Sequence, residues 1–312
     1  MTDVFLATLQ KVGMLLVFIS IGYLLRNRKL LPEDGSKVLS KLATLIFCPA
    51  YNIRNLSQNV TRETIGEKVP LIFYGAICVA LVIGMAFILA KLLGHNDLEK
   101  RSLVYAFSIP NYGYFGYPII EGVFGAEILA DVMIFTIPLS IATNTFGYLL
   151  FVKNGKLSLK KVLTTPTIMS VFIGLALGLS GIKMPALVMD VLSGAANCMS
   201  SVTMILAGFV LGEYPLRKLL KGLWAYEIAD IRLIGIPALF CTVLFLIGIR
   251  GEYLLLPLLI LSMPLGLNLV VFPESMGEDA SENAKLCFVS YILAAFILPI
   301  TFAVLSWLST IT

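Results

Sequence analysis

Two short stretches hold the residue types most able to do chemistry. The first is Ser108-Ile109-Pro110-Asn111-Tyr112-Gly113-Tyr114-Phe115-Gly116-Tyr117-Pro118, inside an apolar run from about Ser102 to Phe124. The second is Ser262-Met263-Pro264-Leu265-Gly266-Leu267-Asn268, with Pro273 beyond. Each proline removes a backbone donor and clashes with the carbonyl four residues back, so neither stretch continues as a plain helix. In a bilayer, such a break survives only where it is buried in protein or lines a wet cavity. A half-helix that restarts there presents unpaired N–H groups and the positive end of its dipole. Two such ends facing each other make a place for an anion without a charged side chain. Asn111 and Asn268 stand at the breaks, and an amide both donates to a carboxylate and accepts from freed N–H groups. Either they bind a ligand or they satisfy the broken backbone; the two roles are compatible.

Other deep polar groups are candidates of second rank. Asn144 and Thr145, Asn197, and Asn52 beside Pro49 each fit a cavity wall or a helix–helix hydrogen bond. Arg232 lies about nine residues into its apolar run, hence roughly 13 Å deep at ~1.5 Å per residue. An ionisable group at that depth reads as functional by default, in gating, coupling or a structural ion pair. Asp230 is two positions away and faces elsewhere, so it does not pair with Arg232 directly. The single histidine, His95, reads as a solvated loop residue. The five cysteines, Cys48, Cys78, Cys198, Cys241 and Cys287, show neither a disulfide framework nor a metal spacing. No His-Glu-x-x-His, Gly-x-Ser-x-Gly or phosphate-cradling glycine loop is present, which argues against an intramembrane protease and a nucleotide-driven pump. No cofactor and no metal is expected.

The elements that must position these residues are membrane spans. Of 312 residues, 58% are hydrophobic and 13% charged, against about a quarter charged in a soluble domain. The net charge of +4 is too small and scattered for nucleic acid. A span needs about 20 mostly apolar residues. Ten runs qualify, roughly Val4–Leu25, Val38–Ile53, Val69–Leu93, Ser102–Phe124, Ile128–Val152, Thr167–Gly181, Ala186–Leu211, Leu223–Ile249, Leu254–Met276 and Ala284–Leu308. The odd-numbered connections hold most of the 23 basic residues; the even-numbered ones hold only Arg54, Arg62, Lys68, Lys183 and Arg250. That excess places the odd connections in the cytoplasm and both termini outside. The first run follows Asp3 rather than a basic region and reads as a retained span.

The fold expected is therefore an all-α polytopic membrane protein of ten transmembrane helices. Residues 1–152 and 166–312 form two five-helix repeats, joined by a cytoplasmic connection at 153–165. Five crossings per unit is odd, so the second unit is inverted, as in many secondary transporters. Ser-x-Pro recurs at Ser108 and Ser262, close to half a chain apart and each in the fourth span of its unit.

At these residues the chain resembles the auxin efflux carrier family, which includes bacterial malate and malonate permeases and the plant PIN-formed proteins. The resemblance rests on Asn111-x-Gly113-Tyr114-x-Gly116-x-Pro118, on Pro264-x-x-x-Asn268 followed by Gly277-x-Asp279, and on Arg232 shortly before Pro237. It implies a scaffold of helices 1, 2, 6 and 7 and a transport unit of helices 3–5 and 8–10. Helices 4 and 9 cross at their prolines, and organic anions move by an elevator-like shift. Carried onto this chain, the implied site is Asn111, Pro110, Gly113, Gly116, Pro118, Pro264, Gly266 and Asn268, with Asn52 facing it from the scaffold. A homodimer through the scaffold is also implied. Two features depart from the pattern: no second proline closely follows Gly266, and the long central loop of many plant members is absent.

The leading expectation is a secondary carrier of small mono- or dicarboxylates in the cell membrane. The alternative is a cation-coupled symporter or cation/proton antiporter on a related fold, for which Asp230 is the deepest acid. An enzyme is not expected.

Overall fold

A computed structural model describes residues 1–152 and 162–311, with 309–311 described by backbone alone. The central connection expected at 153–165 lies mostly outside the described residues, as do Lys153, Lys156, Lys160 and Lys161. Among the described residues the secondary structure is helical, with no strand beyond one isolated bridge.

In chain order, α1 is Thr2–Asn27; α2, Gly35–Leu42, runs through a π turn, Ala43–Phe47, into α3, Cys48–Asn59. Then come α4, Ile65–Leu93, and α5, Asp97–Ser108. A π turn at Tyr112–Gly116 leads into α6, Tyr117–Phe135, followed by α7, Ile137–Ala142, with a π turn at Thr143–Gly147. The second half comprises α8, Pro166–Ser180; α9, Ala186–Leu211; α10, Leu216–Leu219; and α11, Leu223–Asp230. A π turn at Ile231–Gly235 joins α11 to α12, Ile236–Leu246. The last elements are α13, Glu252–Leu261; α14, Asn268–Ser275; and α15, Ser281–Ile311.

Proline explains most of the π turns. Pro49, Pro118 and Pro237 each stand just past such a turn, at the start of the next helix. A proline ring collides with the carbonyl four residues back, and widening the preceding turn moves that carbonyl aside. Gly125, at φ 90°, is non-helical inside α6 and turns the chain there. Asn96 caps α5 by accepting from the Glu99 amide.

Among the described residues, five helices are long and apolar enough to cross a membrane: Thr2–Asn27, Ile65–Leu93, Ala186–Leu211, Leu223–Leu246 and Ser281–Leu308. Tyr112–Phe135 and Ile137–Gly147, bent by 50° at their junction, raise the count to six if taken as one span. Pro166–Ser180 and Glu252–Leu261 are shorter apolar helices. Their outward faces carry stripes of large apolar side chains, such as Val17, Ile21 and Leu24 on α1 and Phe73, Ile77 and Leu81 on α4. Water would not tolerate apolar area on this scale, and lipid tails do. The chain is a multi-pass membrane protein.

Small residues set the packing. A Cβ on Gly22 would land on the Ile205 carbonyl, and one on Gly208 on the Ile19 carbonyl, so α1 and α9 approach backbone to backbone. Gly174 and Gly178 let α8 close on α3 in the same way. Thus α1, α3, α8 and α9 form one connected group. The helices α4 to α7 and α11 to α15 lie around the two proline-rich interruptions, and α15 also packs along α1.

Candidate functional site

The two interruptions meet. Pro110 and Leu265 form an isolated antiparallel bridge. The Asn111 N–H donates to the Pro264 carbonyl at 2.8 Å. Neither Pro110 nor Pro264 has an N–H, so the pairing stays short and neighbouring groups need other partners. One helix supplies two of them. The Leu265 N–H donates to Ser290 Oγ on α15 at 3.1 Å, and the Asn111 amide nitrogen donates to Tyr291 Oη at 3.0 Å. The Gly116 N–H donates to the Asn111 carbonyl at 3.0 Å. The Phe115 ring stacks on Tyr291 with centroids 5.7 Å apart. Asn111 is 5% exposed, and its hydrogen bonds hold the crossing together.

Around this knot the site residues divide by exposure. Pro110, Pro264, Gly266 and Gly116 are buried. A Cβ on Gly116 would press Met263 at 3.2 Å, whereas one on Gly266 would make ordinary contacts of 3.6 Å with the Ile109 and Pro110 carbonyls. Tyr112, Gly113, Tyr114, Pro118 and Asn268 are partly exposed, and nothing lies within 4 Å of a Gly113 Cβ. Asn268 begins α14, with the Tyr105 hydroxyl beside its side chain. Tyr112 Oη donates to Ser140 Oγ at 2.9 Å, and Tyr117 Oη lies 2.6 Å from Thr136 Oγ1. The reachable surface is therefore lined by the Tyr112–Tyr114 turn, Pro118 and Asn268, neutral groups at the start of two helices. A small pocket of about 20 Å³ touches the crossing between Cys78, Ser108, Pro110, Phe135, Pro257 and Leu261; it has room for a water but not for an organic acid.

The remaining candidates lie elsewhere. The Asn52 amide donates to the Thr167 carbonyl at 3.2 Å and to Ser170 Oγ at 3.0 Å. It is thus committed to the α3–α8 contact, which Gly174 and Gly178 draw close. The side chains of α3 that reach toward α6 are instead Tyr51, stacked on Tyr117 at 6.4 Å, and Arg54. The Asn144 amide donates to the Ser140 carbonyl at 2.8 Å, one turn back in its own helix. Asp230 is exposed, and Arg232 is 0% exposed on another face. Arg232 Nε, Nη1 and Nη2 have no hydrogen-bond partner among the described residues. A buried guanidinium without an acceptor is costly, and its π turn is a common mark of a working segment.

Ser290 and Tyr291 were not among the sequence candidates. Their signal is faint: an adjacent hydroxyl pair in the apolar face of α15. Lys68 pairs with Asp131 by a short contact, both side chains being buried. Glu252 stands ahead of the apolar run that begins at Leu254 and is hydrogen-bonded to Asp131. Partial burial, then that neighbouring carboxylate, push the Glu252 carboxyl up to about 7. No group of His, Cys, Asp and Glu among the described residues could hold a metal ion.

The family model described as "Membrane transport protein" matches residues 7–160 and again residues 150–302. The chain belongs to the auxin efflux carrier family of membrane transport proteins. The two overlapping matches together cover both interruptions. The chain is similar to an uncharacterized transporter of Methanocaldococcus jannaschii, 25% identical over 294 residues, covering 91% of this chain and 94% of the relative. It is also similar to an uncharacterized transporter of Methanothermobacter thermautotrophicus, 24% identical over 310 residues, covering 97% of this chain and all of the relative. Membership of a transporter family points away from an enzyme.

Proposed function

We propose that this chain is a secondary transporter of small organic anions, mono- or dicarboxylates such as malate or malonate, in the cell membrane. The observation that carries the reading is the pairing of the two interruptions at Pro110 and Leu265. It sets the start of α14 and the turn before α6 around one crossing, where helix ends and neutral amides favour an anion. Ten crossings follow if the interrupted segments each count as one span: α5 with the turn to Gly125, the bent segment beyond Gly125 to Gly147, and α13 with α14. Residues 1–152 and 166–312 are then inverted repeats, with both termini extracytoplasmic. The scaffold is α1, α2–α3, α8 and α9; the transport unit is α4 to α7 and α11 to α15. Alternating access is an elevator-like shift of the second against the first, and the chain works as a homodimer through the scaffold. The relatives' description as transporters agrees with this reading.

Asn268 and the partly exposed Tyr112–Tyr114 turn take the carboxylate, Asn111 holds the crossing, and Arg232 supplies a buried positive charge in the transport unit with no hydrogen-bond partner among the described residues. A second reading, coupling to a cation or proton, is favoured by one cluster: Lys68, Asp131 and Glu252 at the rim of the transport unit.

Uptake of labelled malate, malonate and lactate into proteoliposomes, with imposed potential and pH gradients, tests both. Saturable uptake of one acid supports the carrier, and its response to each gradient identifies the coupling. Cation flux without uptake of any acid moves the second reading to first place.

A further inference from the structure

Each half-helix that follows an interruption carries a glutamate held by a tyrosine from the other helix group, Glu121 by Tyr51 and Glu274 by Tyr214. Glu121 on α6 accepts from Tyr51 Oη at 2.6 Å through Oε2. Glu274 on α14 accepts from Tyr214 Oη at 2.6 Å through Oε1. The two glutamates are separated by nearly the interval that separates Ser108 from Ser262, so they occupy matching places in the two repeats.

The matching ends there. Glu121 Oε1 also meets Arg54 Nη2 at 2.7 Å, and Arg54 Nη1 donates to Asn197 Oδ1 on α9 at 3.0 Å. Arg54 is thereby braced by both α3 and α9, with its guanidinium over the Tyr51 ring. The Lys11 ammonium of α1 lies 3.0 Å from where a Cβ on neighbouring Gly122 would sit. At Glu274 the nearest arginine, Arg26, is already paired with Glu213 at 2.8 Å. Burial and the Glu274 carboxylate push the Tyr214 phenol upward, so it remains a protonated donor. The ion pairs Arg26–Glu213, Lys68–Asp131 and Arg101–Glu278 each stay inside one helix group, whereas Arg54–Glu121 joins the two.

We propose that Glu121 and Glu274 are twin latches gripping the transport unit at opposite membrane faces, and that the ion pair Arg54–Glu121 makes the outer latch the stronger, holding the carrier in the conformation described here. This rests on the reading that α4 to α7 and α11 to α15 move against the scaffold. A fixed contact across a sliding interface must break during each cycle; both contacts are formed in this conformation, so both favour it at rest, and the ion-paired one favours it more.

The test is a distance distribution between spin labels at Ile182→Cys, ahead of α9, and Ile247→Cys, after α12. The full-length protein is placed in lipid nanodiscs, with Cys198→Ser and Cys241→Ser removing the less buried native thiols. Arg54→Ala and Glu121→Gln are each expected to shift the ratio of two distances about tenfold toward the state rare in the wild type. Tyr214→Phe shifts it the same way by a smaller factor, and the swap Arg54→Glu with Glu121→Arg restores the original ratio and reports on folding. If both outer variants keep the wild-type distribution while saturating malate or Tyr214→Phe changes it, the latch is overturned and the moving unit stands. If one distance persists in every variant and with malate, malonate and lactate, the moving unit is overturned and the latch with it.

Discussion

The two halves of the chain each carry a proline-marked break and finish it differently. In the first, Asn111 is 5% exposed and spends its side chain on Tyr291. In the second, Asn268 begins its half-helix partly exposed, beside Tyr105. The interval that carries Ser108 onto Ser262 also carries Cys78 onto Arg232. At Cys78 the protein holds a small, largely apolar pocket; at Arg232 it holds a buried cation with no acceptor among the described residues. The first half thus ties its asparagine into the crossing, and the second leaves its asparagine at the reachable surface.

The comparison breaks most sharply at Asn111. Asn111→Ala should lose about 1–3 kcal/mol of stability, because the Tyr291 hydroxyl is left buried with a missing partner, and uptake should vanish. Thermal unfolding in detergent reads the first effect and proteoliposome uptake the second. Tyr291→Phe together with Asn111→Ala should lose less stability than the two single losses added, since both ends of one bond are gone.

Arg232 comes next. Arg232→Met should leave the unfolding temperature unchanged or higher, because it removes a buried charge rather than a paired one, and uptake should fall by at least about tenfold. Arg232→Lys should retain more uptake than Arg232→Met. A large drop in stability with Arg232→Met would mean that the guanidinium has a structural partner.

A weaker effect is expected at the rim. Glu252 binds its proton more tightly folded, at about 7, than an ordinary carboxyl at 4.5. The folded form is therefore favoured at low pH, and this contribution is lost progressively as pH rises from 4.5 through 7. Glu252→Gln should flatten the pH dependence of the unfolding temperature between pH 5 and 8. Retention of the full wild-type slope in that variant would remove Glu252 as its source.

Much of the fold was legible because proline and apolar runs act locally. Pro110 and Pro264 announce their interruptions through their own missing N–H groups, and the positions of Pro49, Pro118 and Pro237 account for the widened turns. The helical, membrane-embedded character follows from composition alone. What the sequence did not reveal was contact across the chain. That Asn111 would be held by Tyr291, or that Asn52 would turn to Thr167 and Ser170, depends on which helices become neighbours. The glycines that decide this, Gly174 and Gly178 among them, look like any others until the facing backbone is known. Arg54 reads only as one of the few basic residues of the even-numbered connections, and Glu121 gives no signal, for the same reason.

The most direct measurement compares saturable uptake of labelled malate, malonate and lactate by the wild type, Asn268→Ala and Asn52→Ala in proteoliposomes, with each variant shown to be folded. The account predicts that Asn268→Ala loses transport at unchanged stability while Asn52→Ala keeps it. Full uptake by Asn268→Ala, or its loss only in Asn52→Ala, would contradict the placement of the anion at the crossing.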